Sequence, residues 1–284
     1  MSDLNINSKV ILNNGLEMPV IGLGTFRAEE NAEIINSIKW ALEAGYTLID
    51  TAASYKNEEI IGKAIRESGV KRENIFLSTK LPNTDQGYES TLLAIDKSLE
   101  RLGVEYVDLY LIHWPSASEN REEDINKRED TWKAMEEIYK SGKAKAIGVS
   151  NYTIKHLEDM KKYAKIPPVV NQVEFHPFLY QKELLEYCRE NNIALEAYRP
   201  LTQGKKMDDE TISEIAKNYN KTNAQVLLCW SLQHGCIAIP KSTNKGRIQE
   251  NIDIFDFELS EEDMSKLDSL NENLHLCWDP NKLK

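Results

Sequence analysis

Short apolar runs rich in β-branched residues alternate with amphipathic stretches along nearly the whole chain. This alternation constrains the fold more than any other feature. The runs occupy residues 20–24, 47–50, 75–80, 107–113, 144–149, 169–173, 193–197 and 236–240. Residues 32–44 carry Ile34, Ile35, Ile38 and Leu42 at helical spacing, and residues 89–102 repeat the pattern with Leu92, Leu93, Ile95, Leu99 and Leu102. Further helical patterns cover 132–139, 154–163, 182–190, 211–219 and 224–232. Strand followed by helix, repeated, implies parallel strands joined by crossover helices. The runs end near residues 24, 50, 80, 113, 149, 172, 197 and 239, in steps of 23 to 42. An α/β fold of the (β/α)8 TIM-barrel type, at ~250 residues, needs about 31 per unit. The rival, a doubly wound sheet, announces itself with G-x-G-x-x-G after the first strand. Here Gly22-Leu23-Gly24-Thr25-Phe26-Arg27 lacks the third glycine. No linker or composition shift divides the 284 residues, so a single barrel domain over 1–284 is expected.

Two flanking features complete the outline. Val10-Ile11-Leu12 and Leu16-Glu17-Met18 flank Asn13-Asn14-Gly15, which reads as an N-terminal β-hairpin. Ser260, with Asp263 three residues on, starts a C-terminal helix. The irregular tail, residues 271–284, is expected as a loop over the barrel mouth.

Charge narrows the partners. Lys and Arg number 35 against 46 Asp and Glu, a net charge of −11. Such a chain repels a phosphate backbone, so neither nucleic acid nor an anionic membrane is an expected partner. Any bound anion must sit at a local cationic site. The start, Met1-Ser2-Asp3-Leu4-Asn5, shows no secretory signal. Residues 223–240 lack acids and bases but are too polar for a membrane span, and read as a buried helix followed by a strand. The four cysteines are scattered, without C-x-x-C, and no H-E-x-x-H occurs, so no metal site is expected and a reducing cytoplasmic setting is. No coiled coil or apolar surface pattern is evident, so a monomer is the default.

Polar residues at the C-terminal ends of barrel strands face the active-site mouth. Asp50 ends the second run, Tyr55 follows it, Lys80 ends the third and His113 the fourth. Singly, each has an ordinary role: a helix cap, a loop tyrosine, a solvated lysine, a rim histidine. Together they fit one chemistry. Tyrosine titrates near ~10, and an adjacent ammonium lowers that value. Lys80 supplies the ammonium, Asp50 holds it, and His113 donates to a carbonyl oxygen. This is half of a carbonyl reduction. The other half is a hydride, which requires a nicotinamide cofactor.

The chain resembles the aldo-keto reductase family, from the opening hairpin to about Asn251. The matching stretches are Gly22-Leu23-Gly24-Thr25, Gly45-Tyr46-Thr47-Leu48-Ile49-Asp50-Thr51-Ala52, Asn57-Glu58-Glu59, Ser78-Thr79-Lys80, His113-Trp114-Pro115, Gly148-Val149-Ser150-Asn151, Asn171-Gln172-Val173-Glu174-Phe175-His176-Pro177 and Ile239-Pro240-Lys241-Ser242. The resemblance implies a (β/α)8 barrel that binds NADPH/NADP+ in extended form. It implies a catalytic tetrad of Asp50, Tyr55, Lys80 and His113, with Tyr55 as general acid. It implies that Gly24 and Thr25 border the cofactor, that Ser150, Asn151 and Gln172 bind the carboxamide, and that Tyr198 stacks on the nicotinamide. Lys241 and Ser242 fall on the 2′-phosphate, Arg247 over the adenine, and Glu250 and Asn251 at its edge. The residues agree, because Lys241, Lys245 and Arg247 form a basic cluster in an acidic chain. The implied activity is NADP-dependent reduction of aldehydes or ketones, of the alcohol dehydrogenase (NADP+) type, on a small-molecule carbonyl substrate. Alcohol oxidation is the same chemistry reversed, and a non-catalytic NADP-binding protein is the reading that the intact tetrad speaks against.

Phe26, Trp114 and Trp278 are expected to line the substrate pocket. Phe26 and Pro82 replace residues that are often Trp in relatives. Arg199 stands where Ser is usual, facing the cofactor pyrophosphate, an anionic substrate or solvent. The charged segment 116–130 is expected to face solvent. Trp132 is expected in barrel–helix packing, and His156, His176, His234 and His275 in structural roles.

Overall fold

The computed structural model describes residues 4–28, 31–116 and 121–282. Residues 1–3 of the start, 117–120 of the charged segment and 283–284 of the tail lie outside the described residues.

Strands β1 (Lys9–Ile11) and β2 (Glu17–Pro19) form the expected antiparallel hairpin, with Val10 opposite Met18. Eight further strands follow: β3 (Gly22–Gly24), β4 (Leu48–Asp50), β5 (Phe76–Leu81), β6 (Leu109–Ile112), β7 (Ile147–Ser150), β8 (Val170–Glu174), β9 (Ala194–Tyr198) and β10 (Ile237–Ile239). They pair in sequence order, all parallel. Parallel bridges Ile21–Ala238 and Gly24–Lys241 join the last strand to the first. At that seam Ala238 N donates to Val20 O and Gly24 N to Pro240 O, each at 3.0 Å. A Cβ on Gly24 would stand 2.8 Å from Ile239 O, so the seam needs a glycine there. The result is the expected (β/α)8 barrel.

Between the strands run α1 (Asn31–Ala44), α2 (Glu58–Glu67), α3 (Tyr88–Leu102), α4 (Arg121–Lys140), α5 (Ile154–Met160), α6 (Lys182–Glu190), α7 (Glu210–Tyr219), α8 (Asn223–Gln233), α9 (Lys245–Glu250) and α10 (Glu261–Asp268). Helix α8 is the buried segment anticipated, opened by a reciprocal Thr222–Gln225 cap. Ser260 caps α10, accepting from Asp263 N at 3.1 Å. Trp132 packs as expected, 1 % exposed, with its indole donating to Ile166 O.

Two expectations change. Helix α2 is absent from the sequence reading. The charged segment is not simply a solvent-facing loop, because α4 begins at Arg121 and Arg128 is buried. Acids and bases three and four residues apart, such as Glu129, Asp130 and Lys133, support a helix whose charges obscure its apolar face.

Two apolar regions position the site. Strand side chains facing outward meet the helices in the main core. Inside the barrel, Leu48, Phe76, Leu109, Leu111, Val170 and Ile237 pack on Leu12 and Met18 of the hairpin. The hairpin therefore plugs the N-terminal end, and the polar interior lies toward the other end. Among the described residues no helix is long and apolar enough to cross a membrane.

Candidate functional site

The parallel register carries the four mouth residues onto three neighbouring strands. Asp50 ends β4 opposite Ser78 of β5, and Lys80 of β5 lies opposite Leu111 of β6. A single helical turn, Ala53–Tyr55, brings Tyr55 back over them. His113 follows β6 directly.

Lys80 is completely buried. Its Nζ donates to Asp50 Oδ1 and Oδ2, each at 2.7 Å, and to Thr51 O at 2.8 Å. The Tyr55 hydroxyl lies 3.5 Å from the same nitrogen. Burial alone would lower the Lys80 pKa, but Asp50 and Tyr55 outweigh it and the net shift is upward. The ammonium is therefore permanent at neutral pH.

The Tyr55 phenol does not follow the sequence expectation. Burial raises its pKa, Lys80 lowers it and Asp50 raises it again, and the balance is upward. The ammonium moderates the penalty of burial without overcoming it. His113 is driven down to about 3, by burial first and by Lys80 second. It is neutral across the physiological range. Its Nδ1 lies 3.2 Å from Ser54 Oγ, and its ring meets that of Tyr55 edge-on at 5.6 Å.

Behind the four residues stands an amide network. Ser150 Oγ donates to Gln172 O at 2.8 Å, and Asn151 Nδ2 donates to His113 O at 2.9 Å. Asn151 holds a left-handed backbone, φ 64°, a conformation that asparagine tolerates better than most residues. The Tyr198 hydroxyl donates to Asn151 Oδ1 at 2.8 Å. Gln172 Nε2 divides its two hydrogens between Asp50 Oδ1 (3.0 Å) and Glu196 Oε2 (2.8 Å). Asp50 Oδ1 also accepts from Ser78 Oγ at 2.7 Å.

The loop after β3 is pinned to this centre. Thr25 Oγ1 donates to Asp50 O, and Asn57 Nδ2 donates to Thr25 O. Phe26 is thereby set 5.0 Å from the Tyr55 ring, while remaining 39 % exposed. Trp114 and Trp278 meet at 5.5 Å. Glu174 accepts from Leu276 N (2.9 Å) and Cys277 N (3.0 Å), which fixes the C-terminal segment over the mouth. Pro82 directly precedes a single helical turn, Asn83–Asp85.

The cationic groups collect on the other side of the mouth. Arg27, Arg199 and Lys241 follow β3, β9 and β10, the strands around the seam. The Arg27 and Arg199 guanidiniums lie 5.3 and 5.8 Å from the Phe26 centroid. Arg199 Nη1 is enclosed without a hydrogen-bond acceptor, and its nearest carboxylate oxygen, on Glu174, is 3.8 Å away. Lys241 and Arg247 are exposed, whereas Ser242 and Asn251 are buried. Ser242 Oγ accepts from Asn244 N, and Glu250 accepts from Thr222 Oγ1.

The structure thus gathers Asp50, Tyr55, Lys80 and His113 at one point, the Ser150, Asn151, Gln172 and Tyr198 group beside it, and Lys241 to Asn251 beyond the seam. Sequence reasoning missed Glu174 and Glu196. For Glu196 the available signal was an acid in mid-strand at inward parity, between Ala194 and Tyr198.

The family model for the aldo/keto reductase family matches residues 20–272. A glyoxal reductase of Bacillus subtilis is 53 % identical over 279 residues, covering 98 % of each protein. A 9,11-endoperoxide prostaglandin H2 reductase of Trypanosoma cruzi is 50 % identical, covering 95 % of this chain and 94 % of the relative. The solved structure of a Bombyx mori aldo-keto reductase in complex with NADP superimposes with a TM-score of 0.90 at 34 % identity, over 98 % of this chain and 97 % of that one. With the fold, the motif order and these matches in agreement over almost its whole length, the chain belongs to the aldo/keto reductase family.

Proposed function

We propose that the chain is an NADPH-dependent reductase of small aldehydes and ketones, with Tyr55 as the general acid. One observation carries the reading: an ammonium held by a carboxylate lies 3.5 Å from the hydroxyl of a half-buried tyrosine, beside a neutral histidine.

The donor set suits an extended dinucleotide. Ser150, Asn151 and Gln172 present side-chain amides and a hydroxyl next to the tetrad, the groups that recognise a carboxamide. Gln172 has both amide hydrogens engaged, so it offers Oε1 to a carboxamide N–H. Tyr198 supplies an aromatic face, with Gly24 and Thr25 at the border. Arg199 Nη1, which has no hydrogen-bond acceptor and only a 3.8 Å ion pair to Glu174, suits a phosphate oxygen, and Lys241, Ser242 and Arg247 suit a 2′-phosphate and adenine, with Glu250 and Asn251 at the base edge. When bound, NADPH supplies the hydride that side chains cannot.

The remaining steps belong to the protein. The neutral His113 ring that carries its hydrogen on Nε2 accepts from Ser54 O–H at Nδ1, 3.2 Å away, and has Nε2–H to donate to the substrate oxygen. A neutral donor orients and polarises that oxygen without surrendering a proton. As the carbonyl carbon gains its hydride, negative charge develops on the oxygen, and Tyr55 O–H delivers the proton there. An alkoxide is more basic than a phenolate, so a phenol with a raised pKa remains a competent donor. Lys80 stabilises the phenolate left behind, and Asp50 keeps Lys80 in place. Trp114 walls the substrate, with Phe26 and the largely exposed Trp278 at the rim.

The test pairs turnover with binding. NADPH and NADH are offered with a panel of aldehydes, ketones and α-oxoaldehydes, the last because of the Bacillus relative's name. The expected result is NADPH oxidation with at least one class. Tyr55→Phe is expected to lose about 10²–10⁴ in kcat and to keep its NADPH affinity by fluorescence titration. Full activity in Tyr55→Phe overturns the acid assignment, and absence of turnover with tight NADPH binding overturns the enzyme reading.

A further inference from the structure

Below the tetrad lies a second carboxyl group that the proposed reaction does not use. Glu196 sits in the middle of β9 and is fully buried. Its Oε2 accepts from Gln172 Nε2, and Gln172 joins it to Asp50. Its Oε1 is enclosed with no hydrogen-bond partner. The groups facing it are Asp50 from β4, Lys80 from β5 and Gln172 from β8, while its register partner on β10 is the apolar Ile237. Lys80 is already committed to both oxygens of Asp50. A second carboxylate there has no cation of its own, and desolvating an unpaired charge is strongly unfavourable.

We propose that Glu196 is a positioning residue of this site: it is tied through Gln172 to the Asp50 carboxylate, and its proton sets the charge that Lys80 presents to Tyr55. Two effects follow. Accepting one Gln172 hydrogen fixes the amide so that Oε1 points away from the two carboxyl groups, the orientation a carboxamide N–H needs. Keeping its own proton leaves Lys80 facing one negative charge instead of two. Burial and then Asp50 push the Glu196 carboxyl up to about 8, against the Gln172 hydrogen bond and Lys80, so it is neutral at pH 7. When it ionises, the added negative charge holds protons on Lys80 and Tyr55 more tightly, and proton delivery slows.

The inference rests on Tyr55 as the acid, so its test includes a readout independent of turnover. First, infrared difference spectra of the wild type between pH 6 and pH 9.5 are expected to show loss of a protonated-carboxyl C=O stretch, absent in Glu196→Gln. A wild type without that band overturns the proposal even if neither variant folds. Second, the wild-type kcat–pH profile is expected to fall with an apparent pKa near 8. In Glu196→Gln, normalised to its own plateau, that fall is expected at least one pH unit higher. An unmoved limb in a folded variant overturns the charge role. Third, Glu196→Met removes the acceptor for Gln172 and is expected to weaken NADPH binding about five- to tenfold by fluorescence. Unchanged affinity overturns the orienting role. Full activity in Tyr55→Phe removes only the kinetic arm, leaving the infrared and binding arms to decide on Glu196.

Discussion

The Lys80–Asp50 pair allows stability and catalysis to be separated in one mutant cycle. Lys80→Met keeps the side-chain volume but deletes three hydrogen bonds of 2.7 to 2.8 Å. Asp50, with 3 % of its side chain exposed, then loses its counter-ion. Ser78 and Gln172 still donate to Oδ1, but Oδ2 had Lys80 as its donor. Removing one partner of a buried ion pair costs about 3–5 kcal/mol, because a buried charge is left uncompensated. For a chain of this size about 2 °C of melting temperature is lost per kcal/mol, so the melt falls by roughly 6–10 °C. Adding Asp50→Asn removes the stranded charge, and the double variant is expected to recover to within about 2 kcal/mol of the wild type. Turnover follows a different course. It falls in both variants and is not restored in the double one, because neither has an ammonium against Tyr55. Thermal melts by circular dichroism and NADPH oxidation at 340 nm read the two quantities. A Lys80→Met melt within 2 °C of the wild type refutes the argument, as does a double variant less stable than the single one.

Two further outcomes follow from the geometry. The His113 ring, lowered to about 3, is expected to stay neutral in an NMR titration down to pH 4. A lowered histidine contributes stability above its unfolded value near ~6.5, and that contribution is lost as pH falls toward 3. A titration midpoint near 6 contradicts its burial beside Lys80. Gly62→Ala would place a Cβ 1.9 Å from Leu102 O, forcing α2 away from the end of α3. Overpacking of this kind costs typically about 1–3 kcal/mol. An unchanged melting temperature would show that the two helices are not held in this packing.

The strands were legible because parallel barrel strands are covered on both faces and read as continuous apolar runs. Strands β3 to β7 are buried at every position. Helix α2 was harder to see. Asn57 precedes it as a cap would, but its side chain serves Thr25 and Thr51 instead, and Glu58 is buried against Thr79 and Arg101. A helix that spends its first-turn polar groups on tertiary contacts loses the sequence signature of an amphipathic start. The convergence of Asp50, Tyr55, Lys80 and His113 was legible because three of them are polar residues at the ends of apolar runs and Tyr55 follows one. The upward shift of Tyr55 was not, because the strand-end positions place a cation nearby without showing how much water burial removes. Glu174 and Glu196 look like ordinary charged residues of a strand until the register shows what they face.

Barrel interiors are normally filled by layers of branched apolar side chains. This one keeps that filling only in its lower half, where Leu48, Phe76, Leu109 and Ile237 meet the hairpin plug. The upper half holds Asp50, Lys80, Gln172 and Glu196, all buried. The two halves depend on each other. The apolar plug below offers no polar partner to the buried ammonium, and in such surroundings the Lys80–Asp50 interaction is strong and a second carboxylate costly. One ammonium can balance one of the two carboxyl groups, and the 2.7 Å contacts to both oxygens assign it to Asp50. Glu196 is left to be neutral, linked through Gln172 to the group that is not. The apolar packing below the site therefore helps set the charge state above it.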